Sequence, residues 1–190
     1  IIARFGFEKK LKENESAFYQ YSIKDSDTPE IIAAHFYDHV ERHWIVLLFN
    51  DIIDPQYDCP LESRNLIQYI DKKYSANQYA DTANTSVSGL SWSQNTSNVE
   101  SYFKIITRTS ADGTDIIEKF SVDANTYANV AASSTTYTLN NNSTITETVS
   151  KETQTYYDYE VALNEAKREI KLLKREFVPE VEKEFKRVIK

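Results

Sequence analysis

The chain has 190 residues, 41% hydrophobic and 13% aromatic, enough for the core of one ordinary domain or one small domain with appendages. Its formal net charge of −7 argues against a general nucleic-acid binder, which needs a basic surface to displace counterions. No run approaches the roughly 18 apolar residues of a membrane span, and the single cysteine, Cys59, excludes an internal disulfide.

Residues 1–18 read as an N-terminal arm. Its apolar residues, Phe5 and Phe7 among them, precede a charged run over 8–15 and are expected to pack on something, another chain included. The chain holds no Met and begins at Ile1, so further residues are expected upstream. Residues 19–23 alternate as a strand does. Asp27 or Thr28 then caps a helix with Pro29 at its first position, where a missing N–H costs nothing. Ile32, Ala33, Phe36 and Tyr37 give that helix an apolar stripe, and Trp44, Ile45, Leu47 and Leu48 give the next helix another. Asp54-Pro55 is expected to end the second helix, because the residue before proline is pushed out of the helical region. Residues 61–74 read as a third helix with Leu66, Ile67, Ile70 and Tyr74 facing inward.

Composition shifts after Tyr79 to a stretch rich in Ser, Thr and Asn. Residues 80–98 read as a loop, and 99–109 and 115–122 as strands joined at Asp112-Gly113. Residues 135–139 and 143–149 form a second pair around Asn140-Asn141-Asn142. Together they suggest a β insertion over 80–155, after a first domain over 19–79. From 156 onward the chain reads as helical. Ala166, Ile170, Leu173 and Phe177 follow helical spacing, Pro179 interrupts it, and Val181, Phe185, Val188 and Ile189 resume it. Residues 160–190 carry nine Lys/Arg and seven Asp/Glu, a net of +2, which leaves −9 for the first 159. The fold class is therefore α+β.

Chemistry is sparse. His35, His39 and His43 have stripe spacing for a metal, but a turn expected near 38–42 separates them onto two helices, so ordinary surface histidines are favoured. Carboxylate pairs such as Asp25 with Asp27, or Asp51 with Asp54, are better explained as caps and turns than as a glycosidase dyad. The three glycines, Gly6, Gly89 and Gly113, are isolated, so no phosphate loop exists, and no nucleophile elbow is recognisable. Neither an enzyme nor a cofactor is indicated. Thirteen tyrosines suit core edges and protein interfaces; Tyr156 and Tyr157, just before the last helical segment, suit an anchoring role.

The run Tyr21-Ser22-Ile23, Asp27-Thr28, Ile32-Ala33, Tyr37, Leu48, Asn50 and Asp54-Pro55 resembles a LysM module. That resemblance implies a βααβ unit and a sugar site between the loops after the first strand and the second helix, here Asp25, Asp27, Thr28, Asn50 and Ile53. The module's closing Gly and strand are missing, and Asp58-Cys59-Pro60-Leu61 stands in their place. A wider match joins Trp44-Ile45-Val46, Asn50-Asp51-Ile52-Ile53-Asp54-Pro55, Asp58-Cys59-Pro60-Leu61 and Leu163-Asn164-Glu165-Ala166. It resembles the baseplate wedge proteins of T-even-like contractile-tailed phages, which carry a degenerate LysM-like domain.

This second resemblance implies a βαα(β) domain, a β insertion and C-terminal helices. It implies a virion protein of the tail baseplate, made in the host cytoplasm, that joins neighbouring wedge subunits around the tail tube. Its partners would be other wedge subunits, a sheath-initiator subunit and tail-tube or hub proteins, in a ring of six copies, with no nucleic acid or membrane. The residues expected at such interfaces are Phe5, Phe7, Trp44, Asn50, Ile52, Ile53, Asp54, Pro55, Leu61, Tyr156, Tyr157, Phe177, Val181 and Phe185. Peptidoglycan binding through N-acetylglucosamine is the alternative.

Overall fold

The computed structural model describes residues 6–75 and 87–189. Phe5 and the junction at 79/80 lie outside these residues. The helices and strands, in chain order, begin with α1 (Lys9–Glu13), β1 (Phe18–Ser22), α2 (Pro29–Tyr37), α3 (His43–Phe49), α4 (Pro55–Asp58) and α5 (Ser63–Lys73). Then come α6 (Gly89–Gln94), β2 (Val99–Ser110), β3 (Asp115–Val122), α7 (Ala124–Asn129), β4 (Ser133–Thr138) and β5 (Thr144–Thr155). The chain ends with α8 (Tyr156–Ala166), β6 (Glu169–Leu173) and α9 (Val178–Ile189). Mixed helices and antiparallel sheets make this an α+β protein. Two compact units divide it: Ile1–Ile67 with Ala162–Lys190, and Gln68–Val161. The chain passes between them within α5 and within α8.

In the first unit α2 starts where expected. Thr28 is the N-cap and its hydroxyl accepts from the Ile31 N–H, with Pro29 in the first turn. The helix stops at Asp38, which takes a left-handed conformation with φ 61°. A short 3₁₀ turn, Val40–Arg42, leads to α3. The second helix ends earlier than Asp54-Pro55: α3 closes at Phe49, and Asp51 turns the chain with φ 56°. Asp54 instead caps α4 by accepting the Gln56 N–H.

The largest departure from the sequence pattern lies at 169–173. The helical spacing of Ile170 and Leu173 does not become a helix. The α8 helix ends at Ala166, and the next five residues pair antiparallel with β1, Phe18 opposite Leu173 through Ser22 opposite Glu169. Local helix preference is worth only tenths of a kcal/mol per residue. Tertiary pairing outweighs it here, because among the described residues β1 has its ladder partner only in this segment. Ile23 N–H donates to the Arg168 carbonyl at one end and Lys174 N–H to the Ala17 carbonyl at the other.

The outer edge of β6 is closed by a side chain. The Asn50 carboxamide accepts from Lys171 N–H at 2.8 Å and donates to the Lys171 carbonyl at 2.8 Å. It also donates to Val46 O within α3. The amide thus behaves as one residue of a third strand. Asn164 repeats the device on Leu61, accepting its N–H at 2.7 Å and donating to its carbonyl at 3.0 Å. Around these clamps lies the core: Ile32, Ala33 and Tyr37 of α2, Ile45, Val46 and Phe49 of α3, and Ile170, Leu172 and Leu173 of β6. The Tyr37 hydroxyl finds its partner in the Leu173 carbonyl. The final helix does not resume past Pro179: α9 starts at the buried Val178 and holds Pro179 in its first turn, where a missing N–H costs nothing.

In the second unit the strands β2 to β5 form one antiparallel sheet in the order β3-β2-β5-β4. Both hairpins fall where the sequence places them, with Gly113 at φ 83° and Asn142 at φ 62° supplying the turns. Three expectations change. Residues 80–98 are not all loop, because α6 forms within them; α7 was not foreseen; and Ile67 of α5 is exposed, while Leu66 and Ile70 are buried. Beside the sheet, Tyr74, Trp92 and Tyr156 pack ring against ring at 5.1–5.7 Å. Glu160, nearly fully buried, accepts from the Tyr74 hydroxyl and pairs with Lys73. Gly89 is buried because α6 crosses the end of α5 backbone to backbone. A Cβ there would clash with Asp71 O and meet Ser75 N at 2.8 Å.

Two stability outcomes follow. Asn50→Ala removes three hydrogen bonds and leaves strand-edge groups unpaired, so urea denaturation should show a loss of about 1–3 kcal/mol. Gly89→Ala forces a shift of backbone atoms and should destabilise by about 1–3 kcal/mol, read as a lower thermal midpoint.

Candidate protein-interface site

The segment 50–61 leaves the core and is tied down along its length. Lys12, itself largely buried, reaches Asp51 at 2.6 Å. Ile52 N–H donates to Leu47 O, which holds the loop against the end of α3. Asp58 accepts the N–H groups of Ile53 at 2.9 Å and Asp54 at 3.0 Å, folding the segment back on itself. Lys167 donates to the Tyr57 carbonyl and Asn164 holds Leu61. A cleft of about 310 Å³ runs beside the loop, lined by Asn50, Asp51, Ile52, Asp58, Lys167 and Glu169 among others.

What the fixed loop shows to solvent is apolar. Ile53 is 79% exposed and Tyr57 is 71% exposed. Ordering exposed apolar side chains on a stapled backbone lowers the entropy that a partner must supply on docking. Ile53, Asp54 and Pro55 were foreseen at this position. Tyr57 was not, and its only sequence signal is an aromatic residue between Pro55 and Asp58.

The other foreseen residues are placed differently. Trp44 stacks on Phe185 with ring centroids 4.5 Å apart, and Arg42 pairs with Glu182 at 2.7 Å. Phe177 and Val181 pack on the core, so much of the apolar stripe of α9 is spent within the chain. Phe7 meets Phe49 edge to face at 5.1 Å. Tyr156 belongs to the aromatic cluster of the second unit, and Tyr157 is half-buried. Leu61 is half-buried with its backbone held by Asn164.

The sugar-site residues have internal partners. Asp27 accepts from the Tyr21 hydroxyl at 2.6 Å and from Lys24 N–H. Burial, then the bond to Asp27, pushes the Tyr21 hydroxyl up to about 12. Burial works to raise Asp27, but the Tyr21 and Lys24 bonds outweigh it and hold this carboxyl low. Asp25 pairs with Arg168 at 2.7 Å, Thr28 caps α2 and Asn50 is spent on β6. His35 lies in α2 and His43 opens α3, so the three histidines share no helix face. No group of three or more His, Cys, Asp or Glu is placed to hold a metal among the described residues. Burial, then the Asp58 charge, pushes the Cys59 thiol up, which keeps it protonated and unreactive at neutral pH.

The Asp58 staple carries a pH signature. Its two backbone bonds depress its carboxyl below the ordinary value of 3.8. A depressed folded value means the contribution is complete above the ordinary value and disappears as pH falls through the folded one. Hydrogen exchange at the Ile53 and Asp54 amides, corrected for intrinsic rates, should show constant protection from pH 7 to 5. It should fall only below about 4, and Asp58→Ala should lack that protection at every pH.

No membrane-length apolar helix occurs among the described residues. Comparison with curated proteins finds no match. Comparison with family models matches residues 7–188 to the family described as base plate wedge protein 53. That match runs through both units and nearly the whole chain, including the Asn50 and Asn164 clamps and the exposed loop. The chain therefore belongs to the phage base plate wedge protein 53 family, a family of structural baseplate proteins.

Proposed function

We propose that this chain is a structural joint of the tail baseplate of a contractile-tailed phage, docking neighbouring wedge components through the loop 50–58. The observation that carries the reading is the pairing of two strongly exposed apolar side chains, Ile53 and Tyr57, with a backbone fixed by Asp58, Lys12 and Lys167. Interface energy concentrates in a few apolar and aromatic anchors, a role that Ile53 and Tyr57 would fill here. The family supplies the context of other baseplate components as partners. In this reading the first unit is a LysM-like scaffold whose closing strand is β6, delivered after the insertion. Wedge subunits, the sheath initiator and tube or hub proteins are the proposed partners, in a ring of six around the tube.

The sugar-binding alternative has less support. A lectin site needs free donors and acceptors facing a groove, and the polar groups of Asp25, Asp27, Thr28 and Asn50 are engaged within the chain.

The test is co-expression with the other wedge proteins of the same phage, followed by affinity measurement on the purified chain. The double variant Ile53→Asp, Tyr57→Asp should keep its circular dichroism and bind at least tenfold more weakly. Unchanged binding by the variant, or saturable binding of N-acetylglucosamine oligomers that the variant abolishes, would overturn the loop as a protein-docking site.

A further inference from the structure

Among the described residues the four-stranded sheet of the second unit is one layer thick, and of the sheet's own residues only Thr155 is buried. Its two faces differ. Register places Phe103, Ile105, Thr107 and Thr109 of β2 on one face with Ser150, Thr148 and Thr146 of β5 and Thr136 of β4. Ile117 of β3 also lies on that face, 65% exposed, but most of the rest is hydroxyl and charge, with Lys119 paired to Glu152. The opposite face carries Ile106 of β2, Ile116, Phe120 and Val122 of β3, Ile145 and Val149 of β5, and Tyr137 of β4. Ile116 is 58% exposed and Tyr137 51%.

The short helix α7 covers one end of this apolar face. Tyr127 lies against Tyr102 at 4.9 Å, and a cavity of about 520 Å³ opens between the helix and the sheet. Lys104 lines that cavity with Asn125, Thr126, Asn129, Ser133 and Val149. Register sets Lys104 directly opposite Lys151, a like-charge pair that destabilises a sheet unless something neutralises it. Lys151 is partly satisfied, donating to the Tyr127 carbonyl and lying 4.8 Å from that ring. Lys104 has no ion-pair partner among the described residues. The other cation of the face, Arg108, is held by two carboxylates, Glu118 at 2.6 Å and Glu147 at 2.8 Å.

We propose that this apolar face is a second docking surface, for a segment of another wedge protein that lays apolar side chains on Ile106, Ile116 and Val149 and places a carboxylate on Lys104. The inference rests on the wedge reading above. Charge complementarity selects the occupant: the face offers one uncompensated cationic end beside an apolar field. A second copy of this chain is a poorer fit. The carboxylates it would present from the same face, Glu118 and Glu147, already belong to Arg108. Four strands by about eight residues give a face of roughly 500 Å². That is short of the roughly 800 Å² per partner in a stable interface, so this contact works alongside the loop.

The test titrates the full chain and its variants against the complex formed by co-expressing the other wedge proteins of the same phage. Lys104→Glu and Ile116→Asp should each weaken binding at least tenfold, and Thr148→Lys on the opposite face should leave it within twofold. Lys104→Gln should weaken binding less than Lys104→Glu and flatten its salt dependence, and it decides the matter if Lys104→Glu misfolds. Lys104 and Ile116 variants that bind like the wild type, while the Ile53, Tyr57 variant does not, overturn this surface and leave the loop reading standing. No binding by the wild-type chain overturns both. A dimer of the isolated chain that Lys104→Glu dissolves, seen by sedimentation, assigns the face to self-association and overturns the proposal as well.

Discussion

The first unit depends on how a two-stranded sheet is kept from having a bare edge. An isolated antiparallel pair is marginal in water, and each outward N–H and carbonyl on a buried strand needs a partner. Here β6 is sandwiched: β1 takes one edge, and the carboxamide of Asn50 takes Lys171 on the other. Because Asn50 also holds Val46 of α3, the same side chain locks strand to helix. Ile170, Leu172 and Leu173 are then fixed against Ile45, Val46 and Phe49, and the core closes around them.

That arrangement links segments far apart in the chain. Everything between α3 and β6, including the whole second unit, is an excursion that must return its end to the Asn50 amide. Asn164 performs the matching task on Leu61, within the stretch of that excursion that precedes the second unit. The exposed loop 50–58 is bounded by these two clamps. The loop is thus held at its ends by core contacts and along its length by Asp58, Lys12 and Lys167. This couples the proposed docking function to the stability of the fold.

The second unit is built differently. Among the described residues its dense packing centres on Ile70, Ser93 and the Tyr74, Trp92, Tyr156 cluster over buried Glu160, and the sheet has no second layer. Cross-strand pairs, such as Arg108 with Glu118 and Glu147, add a small contribution along it.

Much was legible in the sequence where the deciding interactions are local. Thr28 and Pro29 start α2, and Asp112-Gly113 and the Asn140–142 turn set the hairpins, because caps and turns are decided by a few neighbouring residues. Ile53 to Pro55 are singled out by the family resemblance instead. The strand at 169–173 could not, since Ile170 and Leu173 satisfy helical spacing equally well and only pairing with β1, some 150 residues away, selects the strand. Nor could the sequence show that Trp44 meets Phe185 or that Asn50 is spent on Lys171. By itself the sequence determined the α+β class, the start of α2, both hairpins and the family. The tertiary structure decided which apolar groups remain outside, because burial depends on distant partners that no local pattern encodes.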